Sequence, residues 1–151
     1  MTERYVDYVD TPIGYLEIVC TETAVVSAMF VEGRTEAVTS HSFMESIKQQ
    51  FVEYFNGSRK VFDAALFFNG TDFQRRVWDE LTKIPYGHTI SYKELAVKVG
   101  NEQASRAVGH ANGKNIISII VPCHRVIGSN NSLTGYAGGL ERKQWLLEHE
   151  R

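Results

Sequence analysis

The residues best equipped for chemistry in this chain are Pro122-Cys123-His124-Arg125, which set a thiol beside an imidazole and a guanidinium at the end of the apolar run Ile119-Ile120-Val121. A free cysteine titrates near ~8.5, so little of it is thiolate at neutral pH, and a neighbouring imidazole or cation raises that fraction. The chemistry on offer is nucleophilic attack by sulfur. The same pair also fits a buried structural cysteine beside a surface histidine, because adjacent residues of a strand point to opposite faces. The run before Cys123 reads as a strand that holds the sulfur, with a turn beginning at the tetrapeptide.

The rest of the composition narrows the field. Cys20 and Cys123 are the only cysteines, and the five histidines are scattered without paired ligand spacing. Neither a disulfide framework nor a metal site is expected, and no cofactor. At 151 residues, 43% hydrophobic and 23% charged, the chain can build one full core or two small lobes. No apolar run approaches the ~20 residues that span a bilayer, and the N-terminus lacks a basic-then-apolar leader pattern. The expected location is the cytoplasm, or the nucleus of a eukaryote. Residues 1–70 carry five Lys/Arg against ten Asp/Glu, whereas 71–151 carry eleven against eight, so a polyanion would meet the second half.

Around the thiol, the elements can be read from pattern. Tyr5 to Val9, Tyr15 to Cys20 and Ala24 to Val31 form a small antiparallel meander, with turn chemistry at Thr11-Pro12-Ile13-Gly14. Phe43, Ile47, Phe51, Tyr54 and Phe55 share a helical face that ends at Asn56-Gly57, and this helix covers the sheet. Lys60 to Phe68 is extended or strand-like. Asn69-Gly70-Thr71-Asp72 then supplies a lobe boundary and an N-cap for a helix with Phe73, Val77, Trp78 and Leu81 inward. Ser91 caps a short helix that stops at Gly100, and a second runs from about Ala104 to Gly113. Helix, turn and helix in this order outline a helix-turn-helix, although short helix pairs also occur without any nucleic-acid role. The Gly-, Asn- and Ser-rich stretch from Gly128 to Gly139 is a surface loop or the wall of a ligand site. A final amphipathic helix spans Leu140 to Glu150, with Leu140, Trp145 and Leu146 on its buried side.

Several of these segments, in one order, resemble the O6-alkylguanine-DNA alkyltransferase family: Gly70-Thr71-Asp72-Phe73-Gln74, Ser105-Arg106-Ala107-Val108-Gly109, Asn115, Val121 to Ile127, Gly135 to Gly139 and Leu146 to Glu150. The resemblance extends more faintly into Thr11 to Gly14 and Glu53 to Gly57. It implies an α+β fold. A small N-terminal α/β lobe over 1–68, an antiparallel sheet with a helix and ribonuclease H-like, would precede a mainly helical, winged-helix-like lobe over 69–151 with the helix-turn-helix. It further implies irreversible transfer of an alkyl group from O6 of guanine, and less readily from O4 of thymine, in double-stranded DNA to the protein's own cysteine. No cofactor, membrane or obligate protein partner is implied, and the protein is expected to be a monomer.

By the same resemblance Cys123 matches the nucleophile, His124 a base acting through water, and Glu150 the carboxylate that orients it. Tyr92 matches the phenol that donates toward guanine N3, and Asn115 the side chain that ties the helix-turn-helix to the active-site segment. Arg106, between Ser105 and Ala107, matches the residue that enters the duplex where the target nucleotide has flipped out, with the second helix in the minor groove. Val126, Tyr136, Ala137 and Gly138 match the pocket for the flipped base. Three positions depart from the family pattern: Ile116 and Glu102 replace common prolines, and Asn131 replaces a common glycine. The Glu102 charge is expected to weaken DNA binding slightly. Two other readings compete. A lesion-binding sensor would lack the cysteine that this chain has, and a thiol hydrolase would need oxyanion donors that the sequence does not display.

Overall fold

The computed structural model describes residues 3–34, 36–128 and 135–151, in two units that divide after Phe67. The first opens with strands β1 (Tyr5–Thr11), β2 (Gly14–Cys20) and β3 (Val25–Val31), antiparallel in the order β1-β2-β3. Alternation decides which face is buried: Leu16, Ile18 and Cys20 of β2 are all fully enclosed. The first hairpin closes on a Thr11–Gly14 pair, where Thr11 Oγ1 donates to the Gly14 carbonyl at 2.7 Å.

Helix α1 (Ser42–Phe55) covers this sheet with Met44, Ile47, Phe51 and Tyr54. His41 is its N-cap, with Nδ1 accepting from Met44 N–H at 3.1 Å, and Gly57 turns the chain away at φ +87°. Residues 60–68 make no regular strand. They meet β3 through a single parallel bridge, Val25 to Leu66. A side chain from α1 takes the place of a ladder: Gln50 takes both the N–H and the carbonyl of Asp63 at 2.8 Å each.

The second unit begins with α2 (Asp72–Leu81), started by a reciprocal capping box between Thr71 and Gln74. Gly70 must be glycine, since a Cβ there would lie 2.6 Å from the Trp78 ring. Trp78 is core, and its indole N–H donates to Ala111 of α4 at 2.9 Å; Phe73, expected inward, is only half-buried. A two-residue strand β4 (Ile90–Ser91) leads into α3 (Tyr92–Lys98), capped by a second box between Ser91 and Glu94. Gly100 at φ +90° ends α3, and α4 (Ser105–Gly113) packs against both α3 and α2. Strand β5 (Val126–Ile127) pairs in parallel with β4, and α5 (Leu140–His149) closes the unit. On α5, Leu146 is buried, Trp145 is half-buried and stacked on His149, and Leu140 is exposed, contrary to the sequence expectation. Asn131 and the rest of 129–134 lie outside the described residues.

Candidate active site

The apolar run before Cys123 is not a strand. Its β-branched residues favour extended backbone, yet Ile119 sits at φ +73°, and Ile120 N–H donates to Ser118 carbonyl at 2.8 Å to close a three-residue turn. A buried isoleucine in that region stores about 1–3 kcal/mol of backbone strain. What holds it is Asn115. Its Oδ1 accepts from Ile117 N–H at 3.0 Å, while its Nδ2 donates to the carbonyls of Ile117 and Val121 at 3.2 and 3.0 Å and reaches Cys123 Sγ at 3.2 Å. One amide therefore pins the loop and touches the sulfur. Asn112, also buried, adds a bond from Nδ2 to the Cys123 carbonyl at 3.4 Å.

Cys123 opens a short 3₁₀ turn, Cys123–Arg125, which carries His124 and Arg125 inward rather than alternately in and out. His124 Nε2 lies 2.8 Å from Glu150 Oε2, and both residues are buried. Arg125 grips the same carboxylate with Nε on Oε1 at 2.8 Å and Nη2 on Oε2 at 2.9 Å, and its Nη1 donates to Ile84 carbonyl at 2.7 Å. Sequence reading offered Arg125 as a cation for the thiol; the structure spends its charge on Glu150. Burial alone would raise the Glu150 pKa, but the bonds from His124 and Arg125 outweigh it and hold the carboxyl well below the usual range. An ionised Glu150 cannot donate, so His124 Nε2 carries the hydrogen and Nδ1 the lone pair. That Nδ1 is buried with no hydrogen-bond partner among the described residues. Burial also pulls the His124 pKa down, keeping the ring neutral. The result is a buried acceptor on the residue next to Cys123.

Burial pushes the Cys123 thiol up, opposed by the Asn115 amide, by the field of Lys143 and by the main-chain N–H groups of Cys123 and His124. Lys143 is the residue that sequence reading missed. A lysine on an amphipathic helix reads as solvent-facing, yet it sits three positions before Leu146 on the buried face and is fully enclosed. Its Nζ donates to Val126 carbonyl at 2.6 Å, and burial pulls its ammonium down to about 8 against the opposing influence of Cys123.

The remaining expected residues fall in two places. Arg106 and Ala107 are exposed on α4, with Ser105 half-buried at its start, beside a groove lined also by Thr71, Gln74 and His110. Tyr92, at the start of α3, faces Gly109 of α4, where an added Cβ would meet its ring at 3.5 Å. Val126 is enclosed, Tyr136 is half-buried with its hydroxyl enclosed near Ser118, Ala137 is exposed and Gly138 is half-buried. No group of three His, Cys, Asp or Glu that could hold a metal occurs among the described residues.

The end of α5 is steered by Gly87, at φ +80° with its Cβ direction 2.9 Å from the Glu150 carbonyl. Gly87→Ala should destabilise the protein by about 1–2 kcal/mol through left-handed strain alone, with the close approach adding to it. A fall of several degrees in Tm checks this, and an unchanged Tm would mean that Glu150 is not held where described.

A buried thiol, an imidazole and a carboxylate are thus gathered in the unit that carries the α3 and α4 helix-turn-helix pair. Residues 4–68 match the ribonuclease-like domain of 6-O-methylguanine DNA methyltransferase, and residues 72–151 match its DNA-binding domain. The chain belongs to the 6-O-methylguanine DNA methyltransferase family. It is 43% identical over 152 residues to the methylated-DNA--protein-cysteine methyltransferase of Methanosarcina barkeri, covering 97% of this chain and 96% of that one. The crystal structure of the Mycobacterium tuberculosis O6-methylguanine methyltransferase superposes with a TM-score of 0.89 at 42% identity, covering 98% and 93% of the two chains. That of Mycobacterium tuberculosis OGT in complex with DNA gives 0.87 at 46% identity, covering 95% and 90%.

Proposed function

We propose that this protein repairs DNA by taking an alkyl group from O6 of guanine, and less readily from O4 of thymine, onto Cys123 in a single irreversible turnover. The observation that carries this is the Cys123, Asn115, His124 and Glu150 cluster in the unit that matches the family's DNA-binding domain. In the step, a bond forms between Sγ and the alkyl carbon while the carbon–O6 bond breaks. The thiol proton passes through water to His124 Nδ1, and guanine leaves with a proton returned to it. Displacement at an sp³ carbon needs a soft anionic sulfur and in-line access, not an oxyanion hole. This separates the reading from a thiol hydrolase.

O6 lies within the base pair, so the nucleotide must leave the stack to reach an enclosed sulfur. Arg106 fits the role of filling the gap: it is exposed on α4, whose first turn has no side-chain cap and leaves N–H groups for phosphate. Tyr92 would donate to N3 of the departing base. Val126, Tyr136, Ala137 and Gly138 would receive the flipped base. Binding is expected to be weakly sequence-dependent and to fall with salt. The protein is expected to act as a monomer in the cytoplasm, and among the described residues no helix is long and apolar enough to cross a membrane.

Incubating the protein with duplex DNA containing O6-methylguanine and reading intact mass tests the reading. One added methylene per protein, matched by repaired guanine, supports it; tight binding without added mass would favour a lesion sensor instead. Arg106→Ala should slow duplex repair by about tenfold, roughly 1.4 kcal/mol of the unstacking cost that the guanidinium offsets, while leaving reaction with free O6-methylguanine nearly unchanged. Equal losses on both substrates would rule out a flipping role.

A further inference from the structure

A fully buried ammonium is expensive unless a compensating charge or several hydrogen bonds face it. Lys143 is such a group: it is completely enclosed, and its Nζ donates to the Val126 carbonyl at 2.6 Å. Val126 is no arbitrary anchor, because its own N–H donates back to the Cys123 carbonyl and closes the turn that carries the sulfur. A single residue thus links the ammonium of α5 to the nucleophile's turn, and Cys123 is itself only 4% exposed. The other ionisable groups around this turn are committed or neutral. Arg125 and Glu150 share two short bonds, His124 is bonded to Glu150, Tyr86 lies under Arg125, Arg142 donates to Gly138 carbonyl, and the Tyr136 phenol is held un-ionised by burial.

We propose that Lys143 is a further functional residue, the electrostatic partner of the Cys123 thiolate, whose enclosed ammonium makes the anionic sulfur accessible for alkyl transfer. The mutual influence of the two groups agrees with this placement: each favours the charged form of the other. The inference rests on Cys123 being the alkyl acceptor, and it adds a second source of thiolate beside His124. His124 can remove the proton, but it is neutral in the resting site and supplies no lasting countercharge. Lys143 supplies one.

The pairing also has a product side. Alkylation turns an anion into a neutral thioether, so the ammonium loses the charge it faces, and its proton should be held less tightly in the alkylated protein.

The test uses the full chain and iodoacetamide, which needs no DNA and reads thiolate directly. Alkylation of Cys123 is followed by peptide mass against pH in the wild type, Lys143→Met and Lys143→Gln, with folding checked by circular dichroism. Loss of the charge should slow the reaction at neutral pH by about tenfold and move the profile upward by about one pH unit. Lys143→Gln, which keeps a donor for Val126 carbonyl but no charge, should behave like Lys143→Met. Superimposable profiles would overturn the proposal, and so would a glutamine variant with wild-type behaviour, because the hydrogen bond alone would then suffice. A measurement without variants guards against misfolding: the Lys143 Nζ, followed by NMR, should titrate lower in the S-methylated protein than in the thiol form. An unchanged titration also overturns the pairing. Failure of the wild type to take methyl from DNA would sink the repair reading instead, while leaving the iodoacetamide result to stand or fall separately.

Discussion

Cys123→Ser should gain no mass from DNA containing O6-methylguanine, at any protein excess, while still binding that DNA. The exchange is nearly isosteric at a site that is 4% exposed, and a serine oxygen can still accept from the Asn115 amide 3.2 Å from the present sulfur. The fold and the α4 surface should therefore survive. What disappears is the nucleophile, since a hydroxyl far above the thiol range yields almost no anion for a neutral imidazole to expose. The protein would become a lesion-binding sensor by one atom. Persistent methylation of the variant would place the acceptor elsewhere, and the other thiol is a poor alternative. Cys20 is buried under α1 against Met44, its Sγ 3.6 Å from the Met44 sulfur, and burial together with Asp7 pushes its thiol up to about 11.

Glu150→Gln should be costly in a different way, damaging both the fold and the chemistry. The substitution leaves the Arg125 guanidinium buried without a countercharge, a loss of about 3–5 kcal/mol out of a total stability of roughly 5–15 kcal/mol. For a chain of this size Tm should fall by about 10 °C or more. The amide also frees His124 from a fixed tautomer, so transfer should slow even in the folded fraction. Adding Arg125→Met to Glu150→Gln should recover much of the stability but not the rate, and recovery of both would show that the carboxylate does nothing beyond neutralising Arg125. The pH dependence follows in sign. Glu150 is held below its unfolded value, so its contribution is complete above about pH 5 and is lost as pH falls below the ordinary ~4.3. His124 is also depressed, so below ~6.5 the unfolded chain takes up the extra proton and stability declines. Wild type should therefore lose stability more steeply than Glu150→Gln between about pH 5 and 3.

How much of this was legible depended on whether the deciding interaction was local. Thr71 with Gln74 and Ser91 with Glu94 are three residues apart, and both helix starts were readable because a capping box is complete within one turn. Gly57 and Gly100 likewise announced the ends of α1 and α3 through the conformation that only glycine adopts easily. The segment before Cys123 misled for a different reason. Ile119-Ile120-Val121 carries strong extended preference, but one asparagine side chain overrides it with four contacts that no propensity encodes. Lys60 to Phe68 was similarly diverted by Gln50, ten or more positions away in sequence. Lys143 was invisible because charge normally predicts exposure, and Leu140 was placed inward because apolarity normally predicts burial.

The fork of Arg125 binds segments that are far apart along the chain, reaching Ile84 carbonyl 41 positions earlier and Glu150 25 positions later. Contacts of such separation form late, after helices and hairpins whose partners are neighbours in sequence. The acceptor of His124 is thus fixed only once these long loops have closed. Until then Cys123 has neither the oriented base nor the enclosure of the finished site, so the arrangement that sets the thiol apart from an ordinary cysteine exists only in the closed unit.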